Sequence, residues 1–83
     1  MKPDIALCKH ALSVLRRLGP AGIERTALMC AVEIAAGRPL TTQEAEDALL
    51  FCADKGWTAS RRDDFERTIV WITDSGTHKL AGM

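Results

Sequence analysis

Three things that would make function easy to read are missing from this chain. It has no net charge: eleven Lys and Arg stand against eleven Asp and Glu. Domains that hold nucleic acid lean basic, because phosphate neutralisation supplies most of their non-specific affinity, so the cheapest argument for DNA or RNA binding is gone. No apolar run approaches the ~18 residues that span a bilayer, which speaks against a membrane protein. In the N-terminal stretch MKPDIALCKHALSVL, Lys9 and His10 interrupt the apolar residues, and Arg16 and Arg17 follow it. That pattern does not fit a signal peptide.

Cysteine is also scarce and badly spaced for chemistry. Cys8, Cys30 and Cys52 are an odd number with no close pair, which argues against a disulfide framework and for a reducing, cytoplasmic setting. Each falls in an apolar helical pattern and is expected to be a small buried hydrophobe. His10 and His78 have no C-x-x-C or H-x-x-x-H neighbours, so no metal or other cofactor is expected. Ser60 and Ser75 lack a G-x-S-x-G elbow, and the chain contains no phosphate loop. The adjacent carboxylates Asp63 and Asp64 fall in a polar turn without the fixed spacing that acid–base work needs. The chain is not expected to be an enzyme.

What is present is a single domain of 83 residues, 47% hydrophobic, which excludes intrinsic disorder. A chain this short buries roughly 60–65% of the surface its unfolded form exposes, so its stability margin is thin and a partner subunit would help it. No linker, internal repeat or low-complexity tract divides it.

The pattern predicts a mainly α fold with a small β-hairpin. Residues 4–18 read as a first helix capped by Asp4, with Ile5, Cys8, Leu12 and Leu15 on one face and Ala11 and Leu18 widening it. Gly19, Pro20 and Gly22 break it. Residues 23–36 read as a second helix with the stripe Ile23, Ala27, Cys30 and Ile34, and with Leu28, Ala31 and Ala35 beside it. Its few charges, Glu24, Arg25 and Glu33, mark it as the expected central, best buried helix. Gly37 suits its C-cap. A third helix starts at the T-x-x-E capping box Thr41–Glu44 and ends at Gly56, with Ala45, Ala48, Leu49 and Cys52 facing inward. Strands are expected at 57–61 and 67–72 around a polar tip at 62–66, with Trp57 and Trp71 able to face each other across the hairpin. Thr73 can cap a short closing helix weakened by Gly76, and Gly82 and Met83 are expected to fray.

This order of elements resembles the winged-helix class of helix-turn-helix domains. The run DKGW after the third helix is similar to the L-x-x-x-G-L junction that leads into a wing, with Cys52 in the usual Leu place. Ile72-Thr73-Asp74-Ser75-Gly76 resembles the L-T-x-x-G segment that closes the wing in MarR-like and PadR-like regulators. Residues 11–82 also resemble small winged-helix proteins of Mu-like phages and prophages, whose terminal L-T-x-x-G-x-x-x-x-x-G corresponds to Ile72 through Gly82.

The resemblance implies a DNA-binding or transcription-regulatory role, with the third helix in the major groove and the wing on the backbone. Gln43 could then pair with adenine and Thr42 touch a phosphate. Arg61 and Arg62 occupy the wing position for phosphate contact, largely offset by Asp63, Asp64 and Glu66. Lys9, Arg16 and Arg17 form a further basic patch on the first helix. The outward face of the third helix conflicts with that role, because Glu46, Asp47 and Asp54 would face a polyanion. The alternative is a protein-interaction or inhibitor module, without direct DNA binding, built on Leu50 with Phe51 at its edge and an acidic rim of Glu46, Asp47 and Asp54. Phe65 at a polar tip would be a further contact point. A host or phage protein could be the partner, or a second copy of the chain meeting it through the first helix or the hairpin.

Overall fold

The computed structural model describes residues 4–83. Met1, Lys2 and Pro3, part of the segment weighed against a signal peptide, lie outside the described residues. The elements are α1 (Ile5–Leu18), a 3-10 turn (Gly19–Ala21), β1 (Ile23–Glu24), α2 (Arg25–Ala36), α3 (Thr42–Asp54), β2 (Thr58–Arg62), β3 (Thr68–Ile72) and α4 (Asp74–Ala81). No helix among the described residues is long and apolar enough to cross a membrane.

Local signals set the boundaries. The Asp4 carboxylate accepts from the Ala6 amide at 2.8 Å and opens α1. The capping box of α3 is complete: Glu44 N–H donates to the Thr41 hydroxyl at 3.0 Å, and Thr41 N–H donates to the Glu44 carboxylate at 3.3 Å. The Thr73 hydroxyl accepts from the Gly76 amide at 3.1 Å and opens α4.

Beside shifts of one or two residues at α3, β2 and β3, which bring Arg62 into the strand, two features differ from the pattern. Ile23 and Glu24 are not helical. They form a short strand that adds a third member to the expected hairpin, in the order β1-β3-β2, with Ile23 opposite Val70 and Glu24 opposite Ile69. Gly22 permits this approach: its φ is 77°, and a Cβ there would lie 2.6 Å from the Val70 carbonyl oxygen. Glu24 then serves as N-cap of α2, accepting from the Ala27 amide at 3.0 Å. The chain end is also better held than expected. Gly82 and Met83 N–H groups donate to α4 carbonyls, and Met83 packs against the core.

The central helix is α1, not α2. Leu7, Cys8, Ala11, Leu12, Val14 and Leu15 are buried where α2, α3, α4 and β3 cover α1, whereas Ile5 and Leu18 at its ends are exposed. Buried α2 residues are Leu28, expected only beside the stripe, and Val32, and the stripe within α2 turns away from the core. Ala27 and Cys30 are exposed, and Ile34 is 80% exposed. Once Ile23 joins the sheet, the stripe loses its first member, and the bulkier Leu28 and Val32 decide which face turns inward.

Cys8 and Cys52 meet in the core between α1 and α3, where the Cys8 thiol also reaches the Ala48 carbonyl at 3.8 Å. The hydrogen bond to Cys8, together with burial, holds the Cys52 thiol far above the ordinary thiol range, so it remains protonated. Trp71 pairs with Ala59 rather than facing Trp57. Trp57 instead meets Phe51 edge-on, with ring centroids 5.7 Å apart.

Candidate nucleic-acid interface

The inward face of α3 (Ala45, Ala48, Leu49, Cys52) packs on the core and leaves Thr42, Gln43, Leu50, Ala53 and Asp54 exposed, with Glu46 and Asp47 half-buried. Three of the polar side chains of this helix are already engaged. The Gln43 side-chain amide donates to Asp47 at 2.6 Å, one turn along the helix. Glu44 is committed to the helix start. The Thr41 amide, and after it Arg38 at 3.2 Å, hold its carboxyl below the usual carboxylate range. Phe51 is half-buried against Trp57 and the core, with the Lys55 ammonium 5.4 Å from its ring centroid. Leu50, 54% exposed, is therefore the open apolar group at the middle of this face.

Between α3 and the hairpin runs a groove of about 120 Å³, lined by Leu49, Leu50, Ala53, Thr58, Ser60, Thr68, Val70 and Arg25. Arg25 is the first residue of α2, delivered here because β1 docks on β3. Helical periodicity makes it only one of a few charges on a helix. The Gly22–Glu24 turn into a strand is the signal that could have found it. The ladder register sets Ser60 opposite Val70 and Arg62 opposite Thr68. Alternation along β2 thus puts Thr58, Ser60 and Arg62 on the groove side and Arg61 on the other. No ion pair among the described residues involves Arg25, Arg61 or Arg62.

The hairpin tip is ordered by one carboxylate. Asp63 accepts from the amides of Phe65 and Arg67, each at 2.9 Å, and from the Arg67 guanidinium at 2.8 Å. The Arg67 amide is the largest cause that holds the Asp63 carboxyl below its ordinary range. Asp63 is therefore spent on Arg67 and offsets neither Arg61 nor Arg62. Phe65 stands 79% exposed, with the Arg67 guanidinium 5.2 Å from its ring centroid. Arg16 and Arg17 do not join the groove. With Ser13 and Leu80 they line a separate depression where α4 packs on α1. No group of three or more metal-ligating side chains occurs among the described residues.

No family model matches the chain, and no curated protein matches it. Solved structures do. RosR of H. salinarum superposes with a TM-score of 0.75 at 19% identity, covering 93% of this chain and 67% of that one. A MarR-family transcriptional regulator from Silicibacter pomeroyi gives 0.70 at 18% identity, covering 96% of this chain and 51% of its own. A single-substitution mutant of S. aureus MepR gives 0.67 at 19% identity, covering 90% and 51%.

The fold is a winged helix. In it α3 precedes the wing formed by β2–β3, as the junction at Gly56-Trp57 and the Thr73-x-x-Gly76 segment led one to expect. The chain spans about half the length of the MarR-family and MepR structures.

Proposed function

We propose that this domain binds duplex DNA as a small regulator of the phage or prophage kind that its sequence resembles, working in the cytoplasm. The observation that supports this most is the groove flanking α3: Arg25 lines it, Arg62 lies on the groove side of β2, Arg61 lies on the opposite side of the same strand, and none of the three joins an ion pair among the described residues. In this reading Arg25 and Arg62 hold phosphates on either side of the groove and Arg61 adds a backbone contact from the wing. Thr42 meets a phosphate at the start of α3, and the Gln43 carbonyl oxygen remains free for a base edge while its amide is held by Asp47. The acidic α3 keeps base contacts few, so binding is weak, mostly electrostatic and wing-led. Arg16 and Arg17 lie outside this surface.

Three phosphate contacts give a salt slope of about −2.7 in log K against log salt, or about a 40-fold loss between roughly 50 and 200 mM salt. Fluorescence anisotropy on a labelled duplex reads this directly. Arg25→Glu with Arg62→Glu abolishes binding, while Arg16→Glu leaves it in place. An absence of binding at the low-salt end rejects the reading.

A second reading rests on Leu50. An apolar group this exposed, amid Glu46, Asp47 and Asp54, suits a basic protein surface better than a DNA groove. It predicts capture of a phage or host protein that is lost on Leu50→Asp. Capture unchanged by that substitution rules out this face.

A further inference from the structure

The wing tip and the α1–α4 depression remain outside the DNA surface, and they complement each other. Phe65 is held outward by the Asp63–Arg67 network, and Glu66 beside it takes a left-handed φ of 62° that fixes the turn. Asp64 and Glu66, on either side of Phe65, are exposed and take part in no ion pair among the described residues. The tip is thus a ring flanked by two free carboxylates. The depression formed by Ser13, Arg16, Arg17 and Leu80 has the opposite character. It measures about 510 Å³, with an apolar side chain in its wall and two exposed arginines that join no ion pair among the described residues. The depression is open to solvent, so a phenylalanine ring can approach Leu80 from outside.

We propose that the wing tip of one copy docks into the α1–α4 depression of a second copy, with Phe65 beside Leu80 and with Asp64 and Glu66 on the guanidinium groups of Arg16 and Arg17. Complementary charge selects the occupant. The two carboxylates that flank Phe65 disfavour insertion of its ring between base steps, although Arg61 and Arg62 on the strand before it stay open to phosphate, whereas a rim of two arginines attracts them. The contact joins two different patches, so it is heterologous and propagates unless it closes reciprocally. It is also small, well below the ~1,200 Å² of a stable interface, so its dissociation constant is on the order of 0.1–1 mM per contact.

Sedimentation equilibrium of the full chain tests this. The average mass rises with concentration at low salt and falls back at high salt, as screening of the rim pairs requires. Phe65→Ser and the pair Arg16→Glu/Arg17→Glu each weaken self-association about tenfold or more. Mixed together, these two variants associate with each other, since one keeps its pocket and the other its tip. A single chain that carries Asp64→Lys and Glu66→Lys together with Arg16→Glu and Arg17→Glu regains self-association through reversed charges. A mass that stays monomeric at every concentration overturns the proposal, as does self-association that survives Phe65→Ser. Failure of the mixture to associate while the parent does so excludes a tip-in-pocket contact. If Phe65→Ser leaves the mass unchanged but weakens duplex binding, the ring belongs to DNA and the proposal is wrong.

Discussion

The Thr73 hydroxyl donates to the Gly56 carbonyl at 2.6 Å and accepts from the Gly76 amide at 3.1 Å. One side chain thereby ties the exit of α3 to the start of α4, across the whole wing. The Thr73 amide adds a bond to the Trp57 carbonyl at 3.0 Å. Gly76 lies against that same carbonyl so closely that an added Cβ would overlap its oxygen and the Ile72 side chain. The T-x-x-G spacing therefore has a local cause: Thr73 caps, and Gly76 lets the first turn of α4 lie flat on the wing base. Thr73→Val should cost about 1 kcal/mol for the cap, and more for the unpartnered Gly56 carbonyl. Gly76→Ala should cost about 1–3 kcal/mol through overpacking, despite the better helix propensity of alanine. Urea melts measure both. A Gly76→Ala variant as stable as the parent would contradict the close approach.

The carboxylates of α3 give the sharpest test between the two functional readings. Glu46 and Asp54 lie on the outward side of α3, on either side of Leu50. If this face approaches DNA, Glu46→Lys with Asp54→Lys removes two repulsions and adds up to two phosphate contacts. Affinity for a random duplex should rise and the salt slope steepen by about 0.9 per new contact. If the face instead meets a basic protein, the same substitutions abolish that capture. Unchanged duplex affinity and slope in the double variant would show that α3 stays clear of the DNA.

Acid should loosen the wing and the α3 cap together. The Asp63 and Glu44 carboxyls both sit below their ordinary range in the folded chain, Asp63 mainly through the Arg67 amide and Glu44 mainly through the Thr41 amide. Unfolded, such groups titrate near ~3.9 and ~4.3. A depressed folded value means that the unfolded chain binds protons first as pH falls. The stabilisation is thus complete above the unfolded values and is lost as pH drops through the lower folded values. Stability measured from neutral pH down to about pH 3 should fall more gently in Asp63→Asn and Glu44→Gln than in the parent. Identical acid slopes in all three would remove these two groups as the cause.

The α1, α3 and α4 starts were legible because each rests on a side chain bonding its own neighbours: Asp4 to Ala6, Thr41 with Glu44, Thr73 to Gly76. Such signals are contained in a few consecutive residues. The burial of α2 and the position of Arg25 were not legible, since both depend on Ile23 and Glu24 leaving the helix to pair with Val70 and Ile69, far along the chain. Helical periodicity gives no hint of a two-residue strand, and α2 carries apolar residues on both sides, so the pattern alone cannot choose between them. The candidate site divides in the same way. Of the candidate residues Leu50 lines the groove between α3 and the wing, Arg16 and Arg17 line another depression, and Arg25 enters the groove unannounced.

The inverted burial of α2 makes a direct prediction. Leu28 is completely buried at the contact with α1, whereas Ile34, further along the same helix, projects into solvent. Leu28→Ala removes core volume and leaves a cavity, at a cost of about 2–5 kcal/mol. In a small domain whose total stability is on the order of 5–15 kcal/mol, that is a large share, and each kcal/mol lowers the melting temperature by about 4–8 °C. Ile34→Ala leaves no cavity and exchanges a β-branched residue for the best helix former, so its effect should stay within about 0.5 kcal/mol and can favour the fold. Thermal melts of the two variants at equal concentration decide the matter. Comparable losses from Leu28→Ala and Ile34→Ala would mean that Ile34 is covered in solution, and the dilution dependence of the Ile34→Ala melt would then show whether a second copy covers it.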